Sequence, residues 1–352
     1  MTTEPAGDIL VERHGALGLV TLNRPQALNA LNDAMVDGLR AALDSWRDDK
    51  AVQHVLIRGA GSKAFCAGGD IRLMHDLGKA GKHAASLDFW AREYRLNSVI
   101  KHFPKPYIAL IDGIVMGGGV GVSLHGSHRL AGPNYLFAMP EVGIGFFPDV
   151  GASYALARLP GATGAWLAVT GARLRRADAL ELGLATHAIR AGCTDDLIEG
   201  LASGGDVQSI ISGFVDSAGE APLRTNRAAI DRHFAHTTLK DIIASLAEAG
   251  ADDRFATETL ASLATKSPTS MALAVEQVKR GATLDFNAAM MMEYRIVSRI
   301  AYGSDFYEGV RALIIDKDNA PRWSPSCLDD VDMSAIAAHF MPLEHDLILP
   351  EA

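Results

Sequence analysis

Two glycine clusters, Ala67-Gly68-Gly69-Asp70 and Met116-Gly117-Gly118-Gly119, limit the folds open to this chain more than any other feature. Each follows a short apolar run that reads as a strand and precedes a stretch at helical spacing. Each therefore marks a strand-to-helix turn where backbone passes close to something else. The unpaired N–H groups at such a turn point outward with the positive end of a helix dipole. Two such turns facing one another supply two donors for a developing oxyanion, as a carbonyl under nucleophilic attack requires. Two tight turns that use glycine for steric reasons alone would look the same, and spacing by itself favours that plainer account.

Around these turns the pattern alternates. Ile9–Arg13 and Leu17–Leu22 flank a glycine-containing turn and predict a hairpin. Asn32-Asp33 opens a helix in which Met35, Leu39, Leu43 and Trp46 recur at helical spacing. Val52–Ile57 reads as the next strand, residues 59–69 as a small-residue loop, Leu87–His102 as a helix and Tyr107–Ile111 as a strand. Strand and helix alternate to about residue 190, as in an α/β layer fold. Ser203-Gly204-Gly205 and Ser217–Pro222 then read as linkers, and the remainder is almost wholly helical, with Pro268 placed to start one helix and Leu284–Tyr302 forming another. The domain reading is a core over 1–200, a linker region over 201–225 and a helical region over 226–352. Met290-Met291-Met292 reads as core filler.

Composition narrows the function classes. Forty-two acidic against 33 basic residues leave a net charge of −9, which argues against a protein that coats nucleic acid. A local basic patch for an anionic ligand remains compatible with that balance. The three cysteines, Cys66, Cys193 and Cys327, are far apart and odd in number, so no disulfide framework or zinc cluster is expected. The first 15 residues lack a basic stretch followed by an apolar one, and no run approaches the roughly 18 apolar residues of a membrane span. A cytoplasmic enzyme without membrane attachment is the expectation. His125 and His128 have no third ligand nearby, so no metal is expected. The signatures of P-loops, serine-hydrolase elbows, zincins and complete dinucleotide-binding loops are absent.

Two acids draw attention. The stretch Phe137–Gly151 sets Glu141 and Asp149 among apolar, glycine and proline neighbours. Desolvation there would raise their pKa values and suit them to acid/base work. A helix cap at Glu141 and a turn at Asp149 is an equal alternative.

Taken together, Asn23-Arg24-Pro25, Ala27–Leu31, Lys63–Arg72 and Met116–Gly121 resemble the enoyl-CoA hydratase/isomerase (crotonase) family, in order and separation, through at least residues 9–190. Arg92–Asn97, Ala138–Glu141, Phe147–Gly151, Thr170–Leu174 and Asp305–Ala312, with Asp316, Lys317, Pro321 and Trp323, are similar to its 3-hydroxyisobutyryl-CoA hydrolase subgroup. The resemblance implies an α/β crotonase-type spiral of repeated β-β-α units with a helical C-terminal region. It also implies a homo-oligomer, a trimer or a multiple of one. The oxyanion donors would be the N–H groups of Gly69 and Gly118. Coenzyme A would be gripped by Arg24, Ala27, Leu28, Lys63, Ala64, Ala67, Gly68, Asp70 and Ile71, with Arg24 and Lys63 facing phosphate.

Of the two glutamates that serve enoyl-CoA hydratases, one matches Glu141 and the other falls at Gly121. Asp149 stands where simple hydratases usually have glycine. That exchange implies hydrolysis of a short-chain 3-hydroxyacyl-CoA, foremost 3-hydroxyisobutyryl-CoA, with Glu141 and Asp149 catalytic, Glu93 and Gly118 also touching substrate, and no cofactor beyond the coenzyme A of the substrate. An enoyl-CoA hydratase or isomerase, and a non-catalytic acyl-CoA-binding protein, are the alternatives.

Overall fold

The computed structural model describes residues 7–350; residues 1–6 and 351–352, the outer ends of the expected core and helical regions, lie outside the described residues. The architecture is an α/β spiral that lays down two sheets in alternation. The larger has the order β1 (Ile9–His14), β2 (Leu17–Leu22), β3 (His54–Gly59), β5 (Tyr107–Ile111), β7 (His128–Ala131) and β10 (His187–Ala188). Only the β1–β2 hairpin in it is antiparallel. The smaller has β4 (Ala64–Cys66), β6 (Ile114–Met116), β8 (Leu136–Ala138) and β9 (Leu174–Arg175), of which the first three run parallel. Three successive units, β3–β4, β5–β6 and β7–β8, each contribute one strand to each sheet before a helical segment, the β-β-α repeat that the resemblance implies.

Local chemistry explains the early elements. Asn32 caps the helix Asp33–Trp46 by accepting the Met35 N–H at 3.0 Å, and Met35, Leu39, Leu43 and Trp46 are all buried on its inner face. Strands β2, β3 and β5 are buried on both faces, as parallel strands between layers must be. On one face Val20, Val55, Ile57 and Ala109 join the main core. On the other, Leu19, Leu56, Ile108 and Leu130 pack against Leu197, Leu201 and Ile211.

Four expectations shift. The strand predicted from Val52 begins at His54, because the Val52 N–H is bound to the Asp49 carbonyl in the preceding turn. The expected loop 59–69 contains β4, too short to carry a pattern but paired with β6. The helix predicted from Leu87 begins at His83. The segment read as a linker includes the helix Val207–Ser212, whose Val207 and Ile211 are buried against the outer face of the larger sheet. The main core is continuous from the spiral into the C-terminal helices, joining Val20 to Ile296 and Phe340. Met290 and Met292 are buried in it, Met291 half-buried.

The C-terminal helices touch the spiral backbone to backbone beside Glu141. Glu141–Ile144 forms a short 3-10 turn closed by Gly145 in left-handed conformation at φ 70°. A Cβ on Gly145 would overlap the Asp305 carbonyl, and a Cβ on Gly309 would overlap the Ile144 carbonyl group. Glycine at both places lets the helix Asp305–Val310 lie directly on the turn that bears Glu141. Gly309→Ala is accordingly expected to cost about 1–3 kcal/mol by overpacking, measured as a lower denaturant midpoint; an unchanged midpoint would mean that this contact is loose.

Candidate active site

The smaller sheet sets the geometry. Gly69, Gly118 and Glu141 follow β4, β6 and β8 by three, two and three residues. Because those strands are parallel neighbours about 4.8 Å apart, the three segments emerge side by side at one edge. Leu31 bridges to Gly69: its N–H donates to the Gly68 carbonyl and its carbonyl accepts the Asp70 N–H. The intervening Gly69 N–H therefore points the other way, toward the pocket. Gly118 opens a short helix, so its N–H has no intrahelical acceptor. The two are close, since a Cβ on Gly118 would sit 3.3 Å from the Gly69 nitrogen and 2.5 Å from Glu93 Oε1.

The sequence-predicted residues Ala67, Gly68, Gly69, Ile71, Glu93, Gly118, Glu141 and Asp149 line one pocket of about 220 Å³. Its apolar wall is Phe89, Trp90, Met116, Ile144 and Phe146, with Leu313 and Ile314 from the π-helical turn Arg311–Ile315. Trp90 stacks on Phe146 at 5.6 Å between ring centres. Leu28, Lys63 and Ala64 line a separate shallow depression with Pro25, Asn29 and Ala60–Ser62. Ala27 lies half-buried beside it in the 3-10 turn Pro25–Ala27.

Arg24 is engaged within the protein. Its guanidinium donates to the Ala30 carbonyl at 2.7 Å and to Asp70 at 3.2 Å, while Asp70 also caps the helix Ile71–Lys79 through the Leu73 N–H. Both side chains brace the Gly68-Gly69 turn from behind. Lys63 is exposed at the rim of the depression.

Three carboxyls share this pocket. Glu93 comes from the helix His83–Lys101, Glu141 from the 3-10 turn and Asp149 from the following loop; each is buried. Burial, reinforced by Asp149, holds the Glu93 and Glu141 carboxyls well above the usual carboxylate range. Burial raises Asp149 to about 7, against the opposing pull of the Tyr94 hydroxyl that donates to its Oδ2 at 2.8 Å. Among the described residues, Glu93 Oε1 and Glu141 Oε2 are buried without a hydrogen-bond partner, leaving an acceptor on each for something other than the protein.

Position 121 is closed. A Cβ on Gly121 would lie 2.7 Å from Val150 Cβ and 2.8 Å from Asn97 Nδ2, so no acid fits there. The His125 and His128 pair makes no centre either: His125 Nε2 lies 2.7 Å from the Val150 carbonyl, and burial lowers its pKa to about 4, leaving a neutral ring whose N–H donates to that carbonyl. No group of three or more His, Cys, Asp or Glu side chains is arranged to hold a metal among the described residues.

Sequence reasoning missed Tyr94, which orients Asp149, and Glu293, whose buried carboxylate accepts the Gly151 and Ser153 N–H groups at 2.7 and 2.8 Å. A signal for Glu293 existed. It is the one acid on the apolar face formed by Ala289, Met290, Met292, Ile296 and Val297.

The raised Asp149 carboxyl makes stability depend on pH. Between its ordinary 3.8 and about 7 the unfolded chain carries the charge while the folded chain holds the proton. The contribution is complete below the unfolded value and is lost as pH rises through the folded one. The melting temperature of wild type, taken relative to Asp149→Asn, is expected to fall as pH rises from about 3.8 to about 7. A difference independent of pH would mean that Asp149 is already ionised in the folded protein.

The profile of the enoyl-CoA hydratase/isomerase family matches residues 17–340. The mitochondrial 3-hydroxyisobutyryl-CoA hydrolase of Danio rerio is 42% identical over 99% of this chain and 94% of its own length. Those of Gallus gallus and Homo sapiens are 40% and 39% identical, each over 97% of this chain and 90% of their own. Among solved structures, a carnitinyl-CoA dehydratase from Mycobacterium thermoresistibile superposes with TM-score 0.92 at 38% identity, covering 97% of this chain and 98% of its own. An enoyl-CoA hydratase from Rhodobacter sphaeroides does so with TM-score 0.92 at 40% identity, covering 97% and 100%. On sequence and fold together, this chain belongs to the enoyl-CoA hydratase/isomerase (crotonase) family of enzymes that act on acyl-CoA.

Proposed function

We propose that this enzyme hydrolyses the thioester of a short-chain 3-hydroxyacyl-CoA, with 3-hydroxyisobutyryl-CoA the foremost substrate. The observation that carries the reading is the pairing of Glu141 with Asp149 beside the Gly69 and Gly118 N–H groups, while position 121 has no room for a second acid. The hydrolases that are about 40% identical over nearly the whole chain support the same reading.

The thioester carbonyl oxygen sits between the Gly69 and Gly118 N–H groups, where negative charge gathers as the nucleophile adds. Loss of one such donor typically costs about 2.7–4 kcal/mol. Glu141 removes a proton from water as the water adds to the carbonyl carbon, or attacks that carbon itself to give an anhydride that water then opens. The carbon–sulfur bond breaks and coenzyme A departs as the thiol, taking up the proton. Asp149, fixed by Tyr94, accepts the substrate 3-hydroxyl or orients the water, and Glu93 meets the acyl group near Gly118. Water is the only co-reactant in this reading.

A second reading, hydration of an enoyl-CoA, is favoured by the hydratase and dehydratase structures that superpose so closely. It requires a second acid from outside the Gly121 position. A panel of acyl-CoA thioesters separates the two. Wild type is expected to release thiol from (S)-3-hydroxyisobutyryl-CoA and barely to hydrate crotonyl-CoA; rapid hydration without thiol release would overturn the hydrolase reading. Glu141→Gln keeps the volume and loses the basicity. It should lower the rate of thiol release about 10²–10⁴-fold with acyl-CoA affinity nearly unchanged, and near-normal hydrolysis would make Glu141 structural.

A further inference from the structure

We propose that Glu293 is a positioning residue for Asp149. From the helix Phe286–Ile300, its buried carboxylate grips the backbone of the turn that bears Asp149, so the helical C-terminal region builds part of the reaction site. The inference rests on the role given to Asp149 above.

The turn is poorly able to hold its own shape. Asp149 starts it by accepting the Ala152 N–H on its carbonyl at 2.9 Å. Val150 and Gly151 follow with φ of 54° and 90°. A β-branched residue disfavours the left-handed region, so Val150 stays there only if neighbours impose it. Three side chains do so from outside. His125 binds the Val150 carbonyl, Gln277 Nε2 donates to the Pro148 carbonyl, and Glu293 takes Gly151 N–H on Oε2 and Ser153 N–H on Oε1.

Glu293 differs from the other two. Like Gln277 it is fully buried, but both its oxygens are bonded where Gln277 Oε1 has no partner, and among the described residues no lysine or arginine pairs with it. A carboxylate in such a place is costly to bury, and a neutral cap would satisfy one N–H without placing an acid beside Asp149 and Tyr94. What the second acceptor oxygen adds is a two-point hold across the turn. With Tyr94 bound to the side chain, the backbone and carboxylate of Asp149 are both fixed, and the pocket acid cannot drift away from Glu141.

The test is Glu293→Gln, alone and combined with Asp149→Asn, in the full-length enzyme. The amide keeps the volume but turns an NH2 toward one of the two N–H donors. Thiol release from the 3-hydroxyacyl-CoA is expected to lose about tenfold to a hundredfold in kcat, as for a small misplacement of a reacting group, with KM little altered. In the Asp149→Asn background the same change should add almost nothing, since residues acting through one another are not additive. Hydrogen exchange should rise at Gly151 and Ser153 and stay unchanged in the strands. Equal losses in both backgrounds, or unaltered exchange across 147–156, would overturn the proposal. Glu293→Asp, which keeps the charge and loses the reach, serves with the same expectations if the glutamine variant does not fold. If wild type releases no thiol, the hydrolase reading falls, and exchange alone decides whether Glu293 holds the turn.

Discussion

The parallel pairing of β4, β6 and β8 is the constraint on which the site depends. Three strands of three residues each deliver Gly69, Gly118 and Glu141 to the same edge of the smaller sheet. The spacing between them is set by backbone hydrogen bonding and not by side chains. Each strand is too short to stand alone. They persist because the chain passes to the smaller sheet directly after β3, β5 and β7 of the larger one, so the larger sheet and its two packed faces hold the register.

Burial of several carboxyls in one place, with no lysine or arginine among the described residues that line it, opposes stability, and the pocket is built to tolerate it. Tyr94 donates to Asp149, and the Gly151 and Ser153 N–H groups donate to Glu293. Burial raises Asp149 to about 7 and Glu293 to about 8, the latter against the pull of the Gly151 and Ser153 N–H groups that favour its charged form. The same exclusion of water strengthens every dipole aimed into the pocket, which is how two glycine N–H groups can matter so much to a carbonyl. Low dielectric is thus both the cost of the site and the source of its effect.

The C-terminal helices do more than cover this pocket. They lie against the Glu141 turn through Gly145 and Gly309, brace the Asp149 loop through Gln277 and Glu293, and supply Leu313 and Ile314 to the wall. Arg311 ties the wall segment to Glu308, Asp316 and Asp318. Position 121 is closed by Val150 of the same loop together with Asn97 of the helix His83–Lys101. In this chain the loop that brings Asp149 into the pocket also carries the Val150 that crowds Gly121.

Much of this was open to reading in the chain itself. The capped helix at Asn32, the doubly buried strands and the start of a helix at Pro268 follow from local patterns, because cap chemistry and hydrophobic period act within a few residues. The two glycine turns were equally visible, but whether they faced one another was not. That depends on strand order in the smaller sheet, a long-range property that no local pattern carries. The pairing of Arg24 with Asp70 at 3.2 Å, 46 residues on, is another contact that only folding makes. Glu293 stands 144 residues beyond Asp149 in sequence, and only packing of the helix Phe286–Ile300 on the spiral brings it to the Gly151 turn. Local sequence determined which backbone turns and acids the chain possesses. The tertiary structure decided which of them meet, because hydrogen bonds and desolvation act over a few ångströms of space whatever the separation along the chain.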